Sequence, residues 1–174
     1  MKNQNRTSEL LETLSNNLLS KDDSILNFID FDECLDEIEN LKRVYKTKRK
    51  LGVRTLCAVY ELPENITTYN DLNNFFRQIR NTLTKKYAKF PYFKELGTFS
   101  IILCDNSKYE NFNKEIKKLK DSTGLHMNTM LGTFLVNVDE LVFTETKVWG
   151  LISTGKQYEL IKQTLLSWIS VNKK

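Results

Sequence analysis

Glu145 and Lys147 form the residue pair whose types and spacing most resemble a catalytic arrangement. They fall within residues 131–149, which read as one or two strands, and alternation along a strand puts both side chains on one face. In metal-dependent nucleases, carboxylates hold a divalent cation and a lysine orients the attacking water. Asp139 or Asp105 could supply the second carboxylate. A Glu-x-Lys pair on a strand is also a common cross-strand charge pair, so both interpretations stay open.

Phosphate loops and metal clusters are the next candidate chemistries. Residues 150–157 (GLISTGKQ) match a phosphate-binding loop in all but the last position, where Gln157 replaces the hydroxyl that would hold magnesium. We therefore expect a simple strand-to-helix turn there. The three cysteines form no CxxC pair, and His126 is the single histidine, so we expect no metal site and no cofactor.

Basic residues are clustered although the net charge is only +4. Residues 42–54 carry seven bases and no acid, directly after residues 29–40 with six acids and no base. Residues 72–94 carry six further bases and no acid. If residues 42–54 and 77–94 form one nucleic-acid-binding surface, both stretches should lie on the same side of the fold. The candidate nucleic-acid-binding residues are Lys46, Lys48, Arg49, Lys50, Arg77, Arg80 and Lys85.

The elements that position these residues are predicted from hydrophobic periodicity. We expect helices over residues 8–20, 30–47, 70–87, 108–121 and 156–171, and strands over residues 53–62, 98–104 and 131–149. This order predicts an α/β fold with a small mixed sheet of three or four strands, flanked by helices and preceded by an N-terminal helical hairpin. The predicted division is a helical segment over residues 1–50 and an α/β domain over residues 51–174.

Composition restricts the function classes further. A chain of 174 residues with 40% hydrophobic content fits one globular domain, and no apolar run is long enough to span a membrane. The apolar residues of helix 156–171 lie nearly all round it, which predicts a protein partner or self-association there. We therefore expect a cytoplasmic, non-catalytic protein-interaction or regulatory module. A nucleic-acid-binding protein is the alternative, and a metal-dependent nuclease is a third.

Overall fold

The computed structural model describes residues 2–19, 27–33, 40–48, 54–88, 96–119, 128–147 and 152–173. These residues form a mixed six-stranded sheet and four α-helices. The strands are β1 (Phe28–Glu33), β2 (Leu41–Thr47), β3 (Arg54–Glu61), β4 (Leu96–Cys104), β5 (Asn128–Asn137) and β6 (Val142–Lys147). The helices are α1 (Lys2–Leu18), α2 (Tyr69–Tyr87), α3 (Asn106–Phe112) and α4 (Ile152–Asn172), with a short 3₁₀ helix at Glu115–Lys118.

The strands lie in the sheet in the same order as in the chain. β3, β4 and β5 are parallel, whereas β1–β2, β2–β3 and β5–β6 are antiparallel. The two parallel crossovers place α2 and α3 on one face, where they share a core with side chains of β3 and β4. α1 and α4 pack together on the opposite face. Because both faces are covered, all nine residues of β4 are buried.

The predicted helix over residues 30–47 is wrong. Phe31 and Tyr45 satisfy a helical spacing, but they are direct cross-strand partners in the antiparallel β1–β2 pair. The described acids of the acidic run, Asp30, Asp32 and Glu33, form ion pairs with bases of β2, so in this part of the chain the charge change reflects strand pairing and not a helix dipole. The predicted N-terminal helical hairpin is therefore absent from the described residues, where α1 is followed by β1 and β2.

The remaining elements follow the sequence pattern more closely. Predicted helix 70–87 and strands 53–62 and 98–104 correspond to α2, β3 and β4. The described part of predicted strand 131–149 folds as the β5–β6 hairpin, which ends at Lys147. The described part of predicted helix 108–121 is divided into two short elements, α3 and the 3₁₀ helix. The sheet has six strands where three or four were expected. β2 precedes the boundary expected at residue 50 and β3 follows it, yet the two strands pair in one sheet. The described chain is therefore a single α/β domain.

The apolar character of α4 is largely explained by packing inside the fold. Tyr158, Ile161, Leu165 and Trp168 are buried in the core that α4 shares with α1 and the sheet. Leu160 and Ile169 are partly buried against the same core. Two large apolar side chains of this helix stay exposed, Leu166 at 41% and Val171 at 68%. The helix also includes Gly155 and Lys156, so the expected turn at residues 150–157 is wrong for its described part.

Candidate functional site

Glu145 and Lys147 lie on the same face of β6, as alternation predicts, and both contact α4. The Lys162 ammonium donates to Glu145 Oε1 over 2.6 Å. Lys147 Nζ lies 4.8 Å from the centroid of the Tyr158 ring. Burial raises the pKa of the Tyr158 phenol, and the neighbouring Glu145 carboxylate raises it further. The predicted catalytic pair is therefore engaged in contacts that join β6 to α4.

The two candidate partner acids lie elsewhere, near the carboxyl ends of β4 and β5. Asp105 caps α3, because its Oδ1 accepts from the Lys108 backbone N–H over 2.8 Å. Asp139 Oδ2 accepts from the backbone N–H of Asn106 over 3.1 Å. Glu145 is three residues along β6 from Val142, where the β5–β6 pairing begins, which corresponds to about 10 Å.

A metal centre needs several ligand side chains gathered at one place. Among the described residues, no group of three or more histidine, cysteine, aspartate and glutamate side chains is placed to hold a metal ion. Cys57 and Cys104 are buried, and burial raises the pKa of Cys104 to about 12. Such a thiol is inert rather than nucleophilic at neutral pH.

The basic stretch at residues 42–54 is partly neutralised by β1. Lys46 Nζ lies 2.6 Å from Asp32 Oδ1 and 3.1 Å from Asp30 Oδ2. Burial lowers the pKa of Lys46, but its hydrogen bonds to these two carboxylates outweigh burial, so the pKa is raised. Lys48 is exposed at the end of β2. Arg49 and Lys50 lie outside the described residues.

The described bases of residues 42–54 are divided between the two faces of the sheet: Arg43 donates to Leu11 and Ser15 of α1 on one face, whereas Lys46 lies close to the end of α2 on the other. Lys46 belongs to β2, and its partner Asp32 also accepts a hydrogen bond from the Tyr87 hydroxyl over 2.5 Å. Tyr87 is the last residue of α2. The end of α2 is therefore fixed next to Lys46, so Lys46 and α2 share one side of the sheet.

Within α2 the predicted basic residues divide into two kinds. Arg80 reaches the sheet, where its Nη2 donates to the backbone carbonyl of Asn128 over 2.5 Å, and it serves the fold. Arg77 and Lys85 are exposed and form no ion pair with any described residue. Asn81 is exposed and lies four residues from each of them, and residues four apart are neighbours on a helix surface, so these two cations belong to one exposed surface.

This surface, the outer face of α2, consists of the five exposed residues from residue 74 to residue 85 and includes no acid; the exposed Asn70 and the carboxylate of Asp71 lie one turn before it. The apolar residues of α2 are buried against the sheet, so its outer face is polar, with two cations and three amides. Lys114, directly before the 3₁₀ helix, and Lys117, within it, are also exposed on the same side of the sheet. The outer face of α2 is made up of Asn74, Arg77, Gln78, Asn81 and Lys85.

Sequence patterns located the cations of this face but missed its amides. Asn74, Gln78 and Asn81 carry no charge and match no motif, although the period of α2 places them opposite its apolar residues. Phe75 and Phe76 pack edge-on against Tyr60 in the core, as their position on the apolar stripe predicts. The outer face of α2 therefore has no aromatic stacking platform of its own.

A polar groove of about 400 Å³ runs beside the outer face of α2. One wall is α2 itself, through Asn74 and Gln78, and the other wall includes Asn40 and Asn65. Phe75 lies among the groove residues as part of its apolar floor.

Comparisons with protein-family models, curated proteins and solved structures found no match, so the function has to be inferred from the residues of this chain. Among the described helices, none is long and apolar enough to cross a membrane. The surface with the clearest chemical character is the outer face of α2.

Proposed function

We propose that this protein binds nucleic acid, holding the sugar-phosphate backbone against the outer face of α2. The proposal rests on one observation: Arg77 and Lys85 are exposed cations that have no carboxylate partner among the described residues. Clustered cations of this kind release counterions when they neutralise phosphates, which supplies most of non-specific nucleic-acid affinity. The amide of Asn81, which lies between the two cations, adds hydrogen-bond donors for phosphate and sugar oxygens.

Two sequence features favoured a protein-interaction module, the apolar surface of α4 and the change of charge near residue 40. Contacts within the described fold involve most of the residues behind both features. The nearly all-round apolar surface of α4 is largely used by the sheet and by α1. The charge change between the acidic and basic runs is used by cross-strand pairs such as Arg43 with Glu33, whose atoms lie 2.5 Å apart. The outer face of α2 has no comparable use within the described chain, and this favours nucleic acid as its ligand.

The test is fluorescence anisotropy with labelled single- and double-stranded oligonucleotides over a series of salt concentrations. The double variant Arg77→Ala/Lys85→Ala removes two phosphate contacts, so the log–log salt slope should become shallower by about 1.4 for single strands and about 1.8 for duplexes. The matched control is Lys156→Ala/Lys173→Ala, which removes two exposed cations, one in α4 and one directly after it, on the opposite face of the sheet. Equal losses in both double variants, or binding that does not respond to salt, would contradict the proposal.

A protein partner at α4 stays as a second candidate because Leu166 and Val171 are exposed apolar residues. It predicts a mass above that of the monomer in light scattering, which Leu166→Glu/Val171→Glu should abolish. The nuclease hypothesis also stays a prediction, and it is checked in the same anisotropy experiment with magnesium present. Shortening of the probe that is lost in Glu145→Ala would support it.

A further inference from the structure

We infer that the groove beside the outer face of α2 receives unpaired nucleobases, so that the preferred ligand is a single strand. This inference deepens the proposed function and rests on it. The groove shares Asn74 and Gln78 with the outer face of α2, so a backbone held by that face has its bases within reach of the groove. The remaining argument concerns which chemistry the groove can hold.

The groove combines an apolar floor with amide walls. Its floor includes the buried side chains of Ile66, Phe75 and Ile79. Its walls include Asn65, Asn74 and Gln78, which are exposed. Each amide offers one acceptor oxygen and two N–H donors, so the walls can match several different base edges.

A nucleobase has the complementary distribution of polarity. Its two ring faces are apolar enough to stack, and its donors and acceptors lie along the edge. In a duplex these faces are stacked and the pairing edges are occupied, so the base cannot enter a groove. A volume of about 400 Å³ lies within the range of small-ligand sites and leaves room for an unpaired base.

The charges at the two ends of the groove orient the bound nucleic-acid strand along α2. Lys85 lies seven residues after Gln78 on the same side of the helix, about 10 Å further along its axis. At the other end of the groove is Asp71, whose carboxylate accepts from the Thr68 backbone N–H over 2.9 Å. Hydrogen bonds from Thr68 and Thr67 hold the pKa of Asp71 below its usual range, so it stays anionic and repels phosphate. Phosphates therefore favour Arg77 and Lys85, and the groove is left to the base.

The decisive probe is an abasic single strand, which has the backbone charge of an oligonucleotide but no bases. The normal strand should bind about tenfold more tightly than an abasic strand of equal length, since two amide hydrogen bonds to a base edge, worth about 0.7 kcal/mol each, amount to that factor. The double variant Asn74→Ala/Gln78→Ala should erase this preference and leave the salt slope unchanged. Asn16→Ala/Asn17→Ala, which removes two exposed amides from α1, should change neither quantity.

The outcomes separate the inference from the proposed function. Equal affinity for normal and abasic strands, with Arg77 and Lys85 still required, would overturn the inference and leave the proposed function in place. Tighter binding of the duplex than of the single strand would overturn the inference as well. Failure of every nucleic-acid probe to bind would overturn both proposals and would leave a peptide as the chemistry to test in the groove.

Discussion

Replacing Gly132 with alanine is expected to destabilise the protein by about 1 kcal/mol. Gly132 lies on β5, and an added Cβ would be 3.1 Å from both Cδ2 and Cε2 of Tyr158 and 3.2 Å from the Thr146 carbonyl oxygen. The Tyr158 ring has little freedom to move, because its centroid lies 5.1 Å from that of Phe134. The Thr146 oxygen belongs to the backbone of the paired strand.

The magnitude follows from two opposing effects. Carbon atoms pack best at about 3.5–4.0 Å, so the new methyl group would be roughly 0.4–0.9 Å too close to the ring. Overpacking of this kind costs about 1–3 kcal/mol. Removing the extra backbone freedom of glycine returns about 0.5–1 kcal/mol. The net loss of about 1 kcal/mol should lower the Tm by about 2–4 °C in a domain of this size.

Gly155 provides a matched control for the same substitution. It lies within α4, and a Cβ added there meets nothing within 4 Å. Gly155→Ala should therefore stabilise the protein by about 0.5–1 kcal/mol, the helix-propensity difference between the two residues. Thermal and urea unfolding followed by circular dichroism measure both variants. A stabilising Gly132→Ala would refute the packing of α4 on β5 and β6, and a destabilising Gly155→Ala would refute the extent of α4.

Two further predictions test the contacts that hold α2 in place. Burial raises the pKa of Asp32, but hydrogen bonds from Lys46 and Tyr87 outweigh burial and lower it below 3.8. A lowered folded pKa stabilises the fold above the unfolded value and loses that contribution as pH falls through the folded value. Urea midpoints should thus decline more steeply below about pH 4 in the wild type than in Asp32→Asn; identical profiles would contradict this. Arg80→Ala should cost about 1.5–3 kcal/mol in urea unfolding, since its charged hydrogen bond to Asn128 is lost, whereas exposed Arg77→Ala should stay within about 0.5 kcal/mol. Equal effects of the two arginine variants would count against the division of α2 into a structural and an exposed side.

The elements that the sequence predicted well are those with one dominant signal. In α2, Leu72, Ile79 and Leu83 repeat at helical spacing, and Thr68 and Asp71 form a capping box at its start. β4 is a short apolar run, followed at once by the helix cap Asp105. In both cases local propensity and tertiary burial favour the same structure, so the sequence pattern is sufficient.

The prediction of a helix over residues 30–47 was wrong because the structure of this segment depends on strand pairing, which is a tertiary contact. Neighbouring residues Val44 and Tyr45 are both buried, since helices cover both faces of the sheet, and this removes the alternation that marks a strand. The complementary charges of β1 and β2 do appear in the sequence. They could equally stabilise a helix through its dipole, so the pattern alone does not distinguish the two structures.

The candidate site shows the same division between what is local and what is tertiary. Arg77 and Arg80 are three residues apart and have the same charge, yet one faces solvent and the other donates to the backbone of β5. Sequence composition does not distinguish these two arginines, because the difference depends on the position of Asn128, which is set by the parallel β4–β5 pair. A basic stretch therefore predicts a binding surface only after the cations used by the fold are removed. In α2 this removes Arg80, and Arg77 and Lys85 remain beside a groove whose amides have no charge to mark them in the sequence.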